Sequence, residues 1–98
     1  MDLARNVLQD VKFLSNESLF PYIKSINLSG NQIESLPIIE LRKIARLNLN
    51  NNAITTLEDF DGHKKLEVLE LRGNKISTLK GLTRLESLKE LYIAENRL

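Results

Sequence analysis

The sequence predicts a single small domain of the α/β class, built as a solenoid in which short parallel strands stack on one face of a coil. Three observations support this prediction. Leucine and isoleucine recur with a period of about 22 residues, they alternate with other residues inside each copy, and an asparagine holds the same place in every copy. Such a period is typical of repeat proteins, in which each copy buries its apolar side against the next.

The repeat covers most of the chain. Four segments fit the pattern L-x-x-L-x-L-x-x-N-x-L, with isoleucine allowed for leucine. They are IKSINLSGNQIESL (23–36), IARLNLNNNAITTL (44–57), LEVLELRGNKISTL (66–79) and LKELYIAENRL (88–98). One register kept through four copies is not expected by chance.

Each copy predicts one strand and one return segment. Residues of a strand point alternately to its two faces, so the leucines of x-L-x-L-x point inward and their neighbours point out. The predicted inward strand residues are Ile26, Leu28, Leu47, Leu49, Leu69, Leu71, Leu91 and Ile93. The return segments close the core from the opposite wall with Ile33, Leu36, Ile39, Ile54, Leu57, Phe60, Ile76, Leu79 and Leu82. The strands are therefore expected to lie parallel on the concave face of a right-handed solenoid.

The return segments are short, at about a dozen residues, and they contain Pro37, Gly62 and Gly81. Proline and glycine interrupt regular structure, which disfavours long helices here. We expect extended, 3₁₀ or short helical structure on the convex face, with a turn of helix in the shorter segment PIIELRK (37–43).

The phased copies resemble the leucine-rich repeat family, specifically its class of about 22 residues, typified by the regulatory subunit of protein phosphatase 1. The resemblance covers about residues 22–98 and implies an α/β leucine-rich repeat solenoid. The segments DFDGHKKLEVLELRGNKI and LKELYIAEN are also similar to leucine-rich repeat proteins of cilia and flagella, such as a dynein-associated light chain and a radial-spoke component.

The recurring asparagines have two possible roles: they form a polar stripe that binds a ligand, or an internal ladder that supports the backbone. Where a strand bends into its return segment, backbone groups lose their sheet partners, and an unpaired buried group costs about 1 to 3 kcal/mol. An amide side chain carries both a donor and an acceptor, so a column of asparagines can satisfy such groups in two turns. We predict the ladder for Asn31, Asn52, Asn74 and Asn96, with Gly30 and Gly73 as turn residues.

The two ends depart from the repeat. Counting 22 residues back from Ile33 and Leu36 gives Val11 and Leu14, whereas the same step from Asn31 gives Gln9. Residues 1–21 are therefore predicted to be an N-terminal cap with a degenerate first repeat, and Leu3, Val7, Leu8 and Val11 also suit one or two turns of helix. Residues 22–98 form the four repeats. The last is incomplete and leaves apolar residues at an open end, which favours a truncated longer parent over a self-paired dimer.

Composition and motifs argue against several functions. The 14 Lys and Arg are interspersed with 13 Asp and Glu for a net charge of +1, so we expect no nucleic acid and no membrane partner. The chain has no cysteine, and its one histidine, His63, has no second ligand at metal-site spacing. Nucleotide-binding loops and nucleophile motifs are missing. We predict no cofactor, no metal, no small-molecule substrate and no enzymatic activity, in a cytoplasmic protein with a cytoskeletal or ciliary setting as one option.

Function on this scaffold is expected on the outward residues of the strands, because the inward ones form the core. Tyr92 is the strongest anchor candidate, since tyrosine and arginine are enriched in binding hot spots. The alternative is an ordinary solvated surface in which Arg72 neutralises Glu70 and Glu90. The predicted partner-binding residues are Arg46, Asn48, Val68, Glu70, Arg72, Glu90 and Tyr92.

Four strands give a face of roughly 300 Å², whereas a standard interface takes about 800 Å² from each partner. This favours a longer parent or a composite surface. The predicted function is a protein-interaction scaffold. The alternatives are a phosphatase regulatory subunit, an axonemal structural component, and an RNA-particle component like the leucine-rich spliceosomal protein, which the near-neutral charge disfavours.

Overall fold

The computed structural model describes residues 1–60, 62–82 and 84–98, and within them four short strands form one parallel sheet. The strands are β1 (Ser25–Asn27), β2 (Arg46–Asn48), β3 (Val68–Glu70) and β4 (Glu90–Tyr92), and they lie side by side in chain order. The register pairs Ile26 with Leu47, Leu47 with Leu69 and Leu69 with Leu91. Each pairing joins residues one sequence repeat apart, so one repeat makes one turn. The predicted solenoid is confirmed.

The core lies between the sheet and the return segments. The predicted inward residues of the first two repeats are buried, including Leu28, Leu49 and Phe60, each with no exposed surface. In the third repeat Leu69, Leu71 and Ile76 are buried. Burial then falls, since Leu79 at the end of the third repeat is 52% exposed and Leu91 in the fourth is 39% exposed. Leu91 lies on β4, which is an edge of the sheet and has a neighbouring strand on one side.

The asparagine ladder is confirmed by its hydrogen bonds. Nδ2 of Asn52 donates to the carbonyl oxygen of Leu28 in the preceding turn at 3.1 Å and to that of Leu49 in its own turn at 3.0 Å. Its Oδ1 accepts from the backbone N–H of Ile33 at 3.1 Å. The same three contacts recur at Asn31, Asn74 and Asn96. The ladder therefore joins each turn to the one before it.

The helix predicted near the N-terminus is wrong. Asp2 pairs in parallel with Asn27, and the backbone N–H groups of Leu3 and Arg5 donate to the carbonyl oxygens of Asn27 and Ser29, both at 2.8 Å. These residues therefore extend the sheet beyond β1. An extended segment satisfies the carbonyl groups on the free edge of β1, which a helix would leave without a strand partner.

The ladder position of this first turn is Asn6 and not Gln9. Nδ2 of Asn6 donates to Leu3 O at 3.0 Å, as Asn52 does to Leu49, whereas the exposed side chain of Gln9 bonds to Gln32 at 3.1 Å. The first return segment is three residues longer than a fixed step of 22 residues assumes, so counting by the period misplaced the asparagine.

The return segments contain little helix. A 3₁₀ helix at Lys12–Ser15 agrees with the expectation for the convex face. The turn of helix predicted in residues 37–43 is wrong, because Ile39 and Leu41 are buried while Ile38 is 51% exposed, which is the alternation of an extended chain. No helix within the described ranges is long and apolar enough to cross a membrane.

Candidate functional site

The outward side of the sheet carries rows of side chains set by the strand register. Asn27, Asn48, Glu70 and Tyr92 are in register along one row, and Ser25, Arg46, Val68 and Glu90 form the row beside it. Parallel strands lie about 4.8 Å apart, so neighbours in a row can touch. The character of the rows changes along the sheet, from small polar groups at β1 to charged and aromatic groups at β4.

At the β4 end, an arginine and a glutamate hold a tyrosine from two sides. The hydroxyl of Tyr92 donates a hydrogen bond to Oε1 of Glu90 at 2.6 Å. The guanidinium carbon of Arg72 lies 4.3 Å from the centroid of the Tyr92 ring, within the range of a cation–π contact. Arg72 therefore contacts the tyrosine ring, which differs from the simple charge neutralisation considered from the sequence.

Asn50 connects this group to the neighbouring turn, although it is not among the binding residues predicted from the sequence. Its Nδ2 donates to Oε1 of Glu70 at 3.2 Å, and its Oδ1 accepts from the backbone N–H of Arg72 at 2.8 Å. Asn50 occupies the same repeat position as Arg72, one turn earlier, which is the signal that could have found it. We call the set of Asn50, Glu70, Arg72, Glu90 and Tyr92 the Tyr92 cluster.

The electrostatics of the cluster keep Tyr92 neutral. The hydrogen bond to Glu90 and the negative charge of that carboxylate raise the pKa of Tyr92 above its ordinary value, and partial burial adds to the effect. The positive charge of Arg72 opposes this shift in pKa without cancelling it. The phenol therefore remains a hydrogen-bond donor, and its acceptor is a carboxylate on the same strand.

The remaining predicted residues contribute differently. Arg46 is exposed. Oδ1 of Asn48 accepts a hydrogen bond from the backbone N–H of Asn50 at 2.9 Å, so Asn48 supports the backbone at the end of β2. Val68 is only 8% exposed and offers little contact surface. Of the seven predicted residues, Glu70, Arg72, Glu90 and Tyr92 come together in the cluster, and Arg46, Asn48 and Val68 stay outside it.

His63 lies on the convex side and supports the backbone. Its Nδ1 accepts from the N–H groups of Lys65 and Leu66, both at 3.1 Å, so the ring proton is on Nε2, which lies 3.0 Å from the carbonyl oxygen of Leu41. In the part of the chain that the structure describes, no group of three or more potential metal ligands occurs. His63 therefore joins two turns.

Comparison with known proteins identifies the family to which the repeats belong. A family model described as "Leucine rich repeat" matches residues 21–76 and 42–98. The chain is 36% identical over 75 residues to Tsukushi of Gallus gallus, covering 74% of this chain and 20% of that protein. It is 36% identical over 93 residues to the tubulin-specific chaperone E of Dictyostelium discoideum, covering 74% of this chain and 18% of that protein.

A relative in Arabidopsis thaliana matches almost the whole chain. It is named as a homologue of a protein phosphatase 1 regulatory inhibitor subunit, and it is 30% identical over 101 residues, covering 99% of this chain and 31% of that protein. The chain thus spans between 18% and 31% of the length of these three relatives. No solved structure was found to match the chain significantly.

Proposed function

The chain belongs to the leucine-rich repeat family, as its pattern predicts, and on this premise we propose that it is a non-enzymatic scaffold that binds a protein partner through the outward face of its sheet. Protein–protein interaction is the role that these repeats suggest in general. The observation that supports the specific surface is the Tyr92 cluster, in which an arginine and a tyrosine are held together on an open face.

The arrangement of the cluster suits binding. Tyrosine and arginine are the residue types most enriched among residues that dominate interface energies. A side chain that is already held in place loses less freedom when a partner arrives, and each immobilised side chain otherwise costs about 0.5 to 1.5 kcal/mol. Arg72 is held by its contact with Tyr92, and Tyr92 by its bond to Glu90. The cluster is therefore partly organised before any partner binds.

The role of a phosphatase regulatory subunit is the second candidate, and the Arabidopsis relative is the observation that favours it. That relative covers nearly all of this chain, but this chain covers only 31% of the relative. The axonemal alternative and the spliceosomal alternative rest on resemblance of the sequence alone and stay predictions. A cytoplasmic location is also part of this proposal, and the missing cysteines support it.

The proposal that the chain is not an enzyme has structural support of its own. The one histidine, His63, points its ring nitrogens at backbone groups on the convex side. On the sheet face, Glu90 and Glu70 bond to Tyr92 and Asn50. These bonds support the proposal of a contact surface rather than of a nucleophile beside a base.

The surface is tested by affinity capture with matched variants. Tyr92→Ala combined with Arg72→Glu removes the anchor and reverses a charge within the cluster. Ile38→Ala combined with Lys80→Glu removes an exposed apolar side chain and reverses a charge away from the sheet face, and it serves as the control. We expect the wild-type chain and the control to capture at least one shared protein from cell extract, and the cluster variant to lose it.

Identical sets of captured proteins for the wild-type chain and the cluster variant would refute the proposed surface. The phosphatase role has its own measurement, which is direct binding of the purified chain to the purified catalytic subunit of protein phosphatase 1. Binding that the cluster variant loses and the control retains would support the role. No binding of the wild-type chain would exclude it and leave the general scaffold proposal to the capture experiment.

A further inference from the structure

A second surface lies along the turns that lead into the strands. The residues three and four positions before each strand are Pro21 and Tyr22, Arg42 and Lys43, Lys64 and Lys65, and Glu86 and Ser87. Stacking of the repeats places these pairs next to one another. Nζ of Lys43 lies 5.0 Å from the centroid of the Tyr22 ring, and Oγ of Ser87 donates to the carbonyl oxygen of Lys64 at 2.5 Å. We call this surface the lysine edge.

The charge of the lysine edge is positive and accessible. Lys43, Lys64 and Lys65 are all exposed. Among the described residues, no carboxylate oxygen lies within 4.0 Å of their ammonium groups. Arg42 differs, since its Nε pairs with Oε2 of Glu17 at 2.9 Å. The three lysines therefore carry positive charge that forms no ion pair with the described carboxylates.

The surface is also concave and has an apolar end. A groove of about 750 Å³ runs between the turns here, and Gly62, His63, Lys64 and Lys65 are among the residues that line it. Beside the first lysine, Tyr22 is 76% exposed. An occupant of this surface would thus meet an exposed aromatic ring at one end and lysines along the rest.

These features favour an acidic protein segment over other polyanions. Glu40 and Glu86 line the same groove, so a continuous phosphate backbone or an anionic bilayer would meet like charge there. Separate carboxylates on a peptide can be spaced to avoid them. An extended chain advances about 7 Å in two residues, which lets carboxylates at alternate positions reach lysines of neighbouring turns.

We propose that the lysine edge is a docking surface, separate from the sheet face, for an extended acidic protein segment with an apolar or aromatic residue at one end. The lysines bind the carboxylates, and the ring of Tyr22 contacts the apolar residue. This surface is independent of the Tyr92 cluster, so a scaffold with both could hold two partners together.

The test uses a dye-labelled peptide of about a dozen residues, with glutamate at alternate positions and one tryptophan at its end, followed by fluorescence anisotropy at low salt. The edge variant carries Lys43→Glu, Lys64→Glu and Lys65→Glu. The control variant carries Lys12→Glu, Lys75→Glu and Lys80→Glu, three exposed lysines that give the same change in net charge. We expect the edge variant to bind at least about tenfold more weakly than the wild-type chain, and the control to stay within about threefold.

Two further changes separate the contacts. Replacing every glutamate of the peptide by glutamine should weaken binding to the wild-type chain as the edge variant does, and Tyr22→Ala should remove the advantage of the tryptophan. The Tyr92→Ala, Arg72→Glu variant should bind the peptide like the wild-type chain. Loss in that variant would assign the binding to the sheet face and overturn the proposal.

Other outcomes would also overturn it. Equal weakening in the edge variant and the control would mean that only net charge matters. Tighter binding of a single-stranded oligonucleotide or of vesicles containing phosphatidylserine, lost in the edge variant, would mean that the surface is for nucleic acid or lipid. Urea unfolding of each variant checks that it is folded, and a Lys→Gln triple at the same positions replaces the edge variant if charge reversal unfolds the chain.

Discussion

Replacing Asn52 by leucine tests the asparagine ladder at its centre. Asn52 is 8% exposed, and its Oδ1 is the acceptor for the backbone N–H of Ile33, a residue with no exposed surface. Leucine has the same number of side-chain heavy atoms but no polar atom in its side chain. The N–H of Ile33 would lose the partner that Asn52 provides in the core, which costs about 1 to 3 kcal/mol.

The carbonyl groups of Leu28 and Leu49 lose less free energy in the variant, because each accepts hydrogen bonds from two ladder asparagines. The oxygen of Leu28 also accepts from Asn31 at 2.9 Å, and the oxygen of Leu49 also accepts from Asn74 at 3.0 Å. Losing one of two partners at each oxygen adds up to about 1 kcal/mol in total. The expected loss in the free energy of unfolding is therefore about 1 to 4 kcal/mol.

Urea unfolding followed by circular dichroism measures this loss, and the midpoint should fall by roughly 1 to 3 M. Asn6→Leu is the matched control, because Asn6 holds the same place in the first turn but is exposed and bonds only to its own turn, through Leu3 and Ala4. Its expected loss is below about 1 kcal/mol. Equal midpoints for the two variants would refute the role of the ladder between turns.

Two further predictions concern a turn and the Tyr92 cluster. Gly81 has φ of 93°, and a Cβ built there would lie 2.0 Å from the carbonyl oxygen of Leu57, so Gly81→Ala should lower the free energy of unfolding by about 3 kcal/mol or more. Gly30→Ala is the control, because a Cβ there has its nearest neighbour atom at 3.4 Å. It should cost about 1 to 2 kcal/mol by the same urea assay. Because Glu90 raises the pKa of Tyr92, the cluster stabilises the fold below the ordinary tyrosine value of about 10 and loses this contribution as pH rises through the raised pKa. Glu90→Gln should lower the pKa of Tyr92, measured from its ring chemical shift by NMR, and should reduce this extra loss of stability at high pH; an unchanged pKa would contradict the assigned cause.

The repeats could be predicted from the sequence because their signals are local and periodic. The same pattern recurs from turn to turn. Leu47, Leu49 and Asn52 of one repeat correspond to Leu69, Leu71 and Asn74 of the next. Each copy therefore supports the interpretation of the others. The first turn could not be placed in this way, since its longer return segment breaks the period. Its motif LARN still matches LSGN and LRGN of the later turns, so Asn6 could have been found by motif instead of by counting.

The contacts on the sheet face were harder to predict, because strand register fixes which side chains are neighbours but not how they touch. Arg72 is close in sequence position to Glu70 and one turn away from Tyr92. Charge favours a contact of Arg72 with Glu70, whereas stacking on a ring favours a contact with Tyr92. The structure shows the second, with Asn50 accepting from the backbone of Arg72 and bonding to Glu70.

The lysine edge shows how a repeat can hide a surface in a balanced sequence. Lys43 and Lys65 are separated by one repeat, so along the chain they look dispersed among acidic residues, although the fold makes them neighbours. In a solenoid, charge has to be compared down each column of equivalent positions, because the turn and not the chain determines which residues are near. A column of identical apolar or amide residues, such as that of Asn52, serves the core and the backbone. The column of Lys43 and Lys65 is different, because it keeps a positive charge over two adjacent turns and has Tyr22 and Ser87 at the outer turns. Neither the core nor the backbone requires that charge. It is at columns of this second kind that a partner can be selected without any change in the fold.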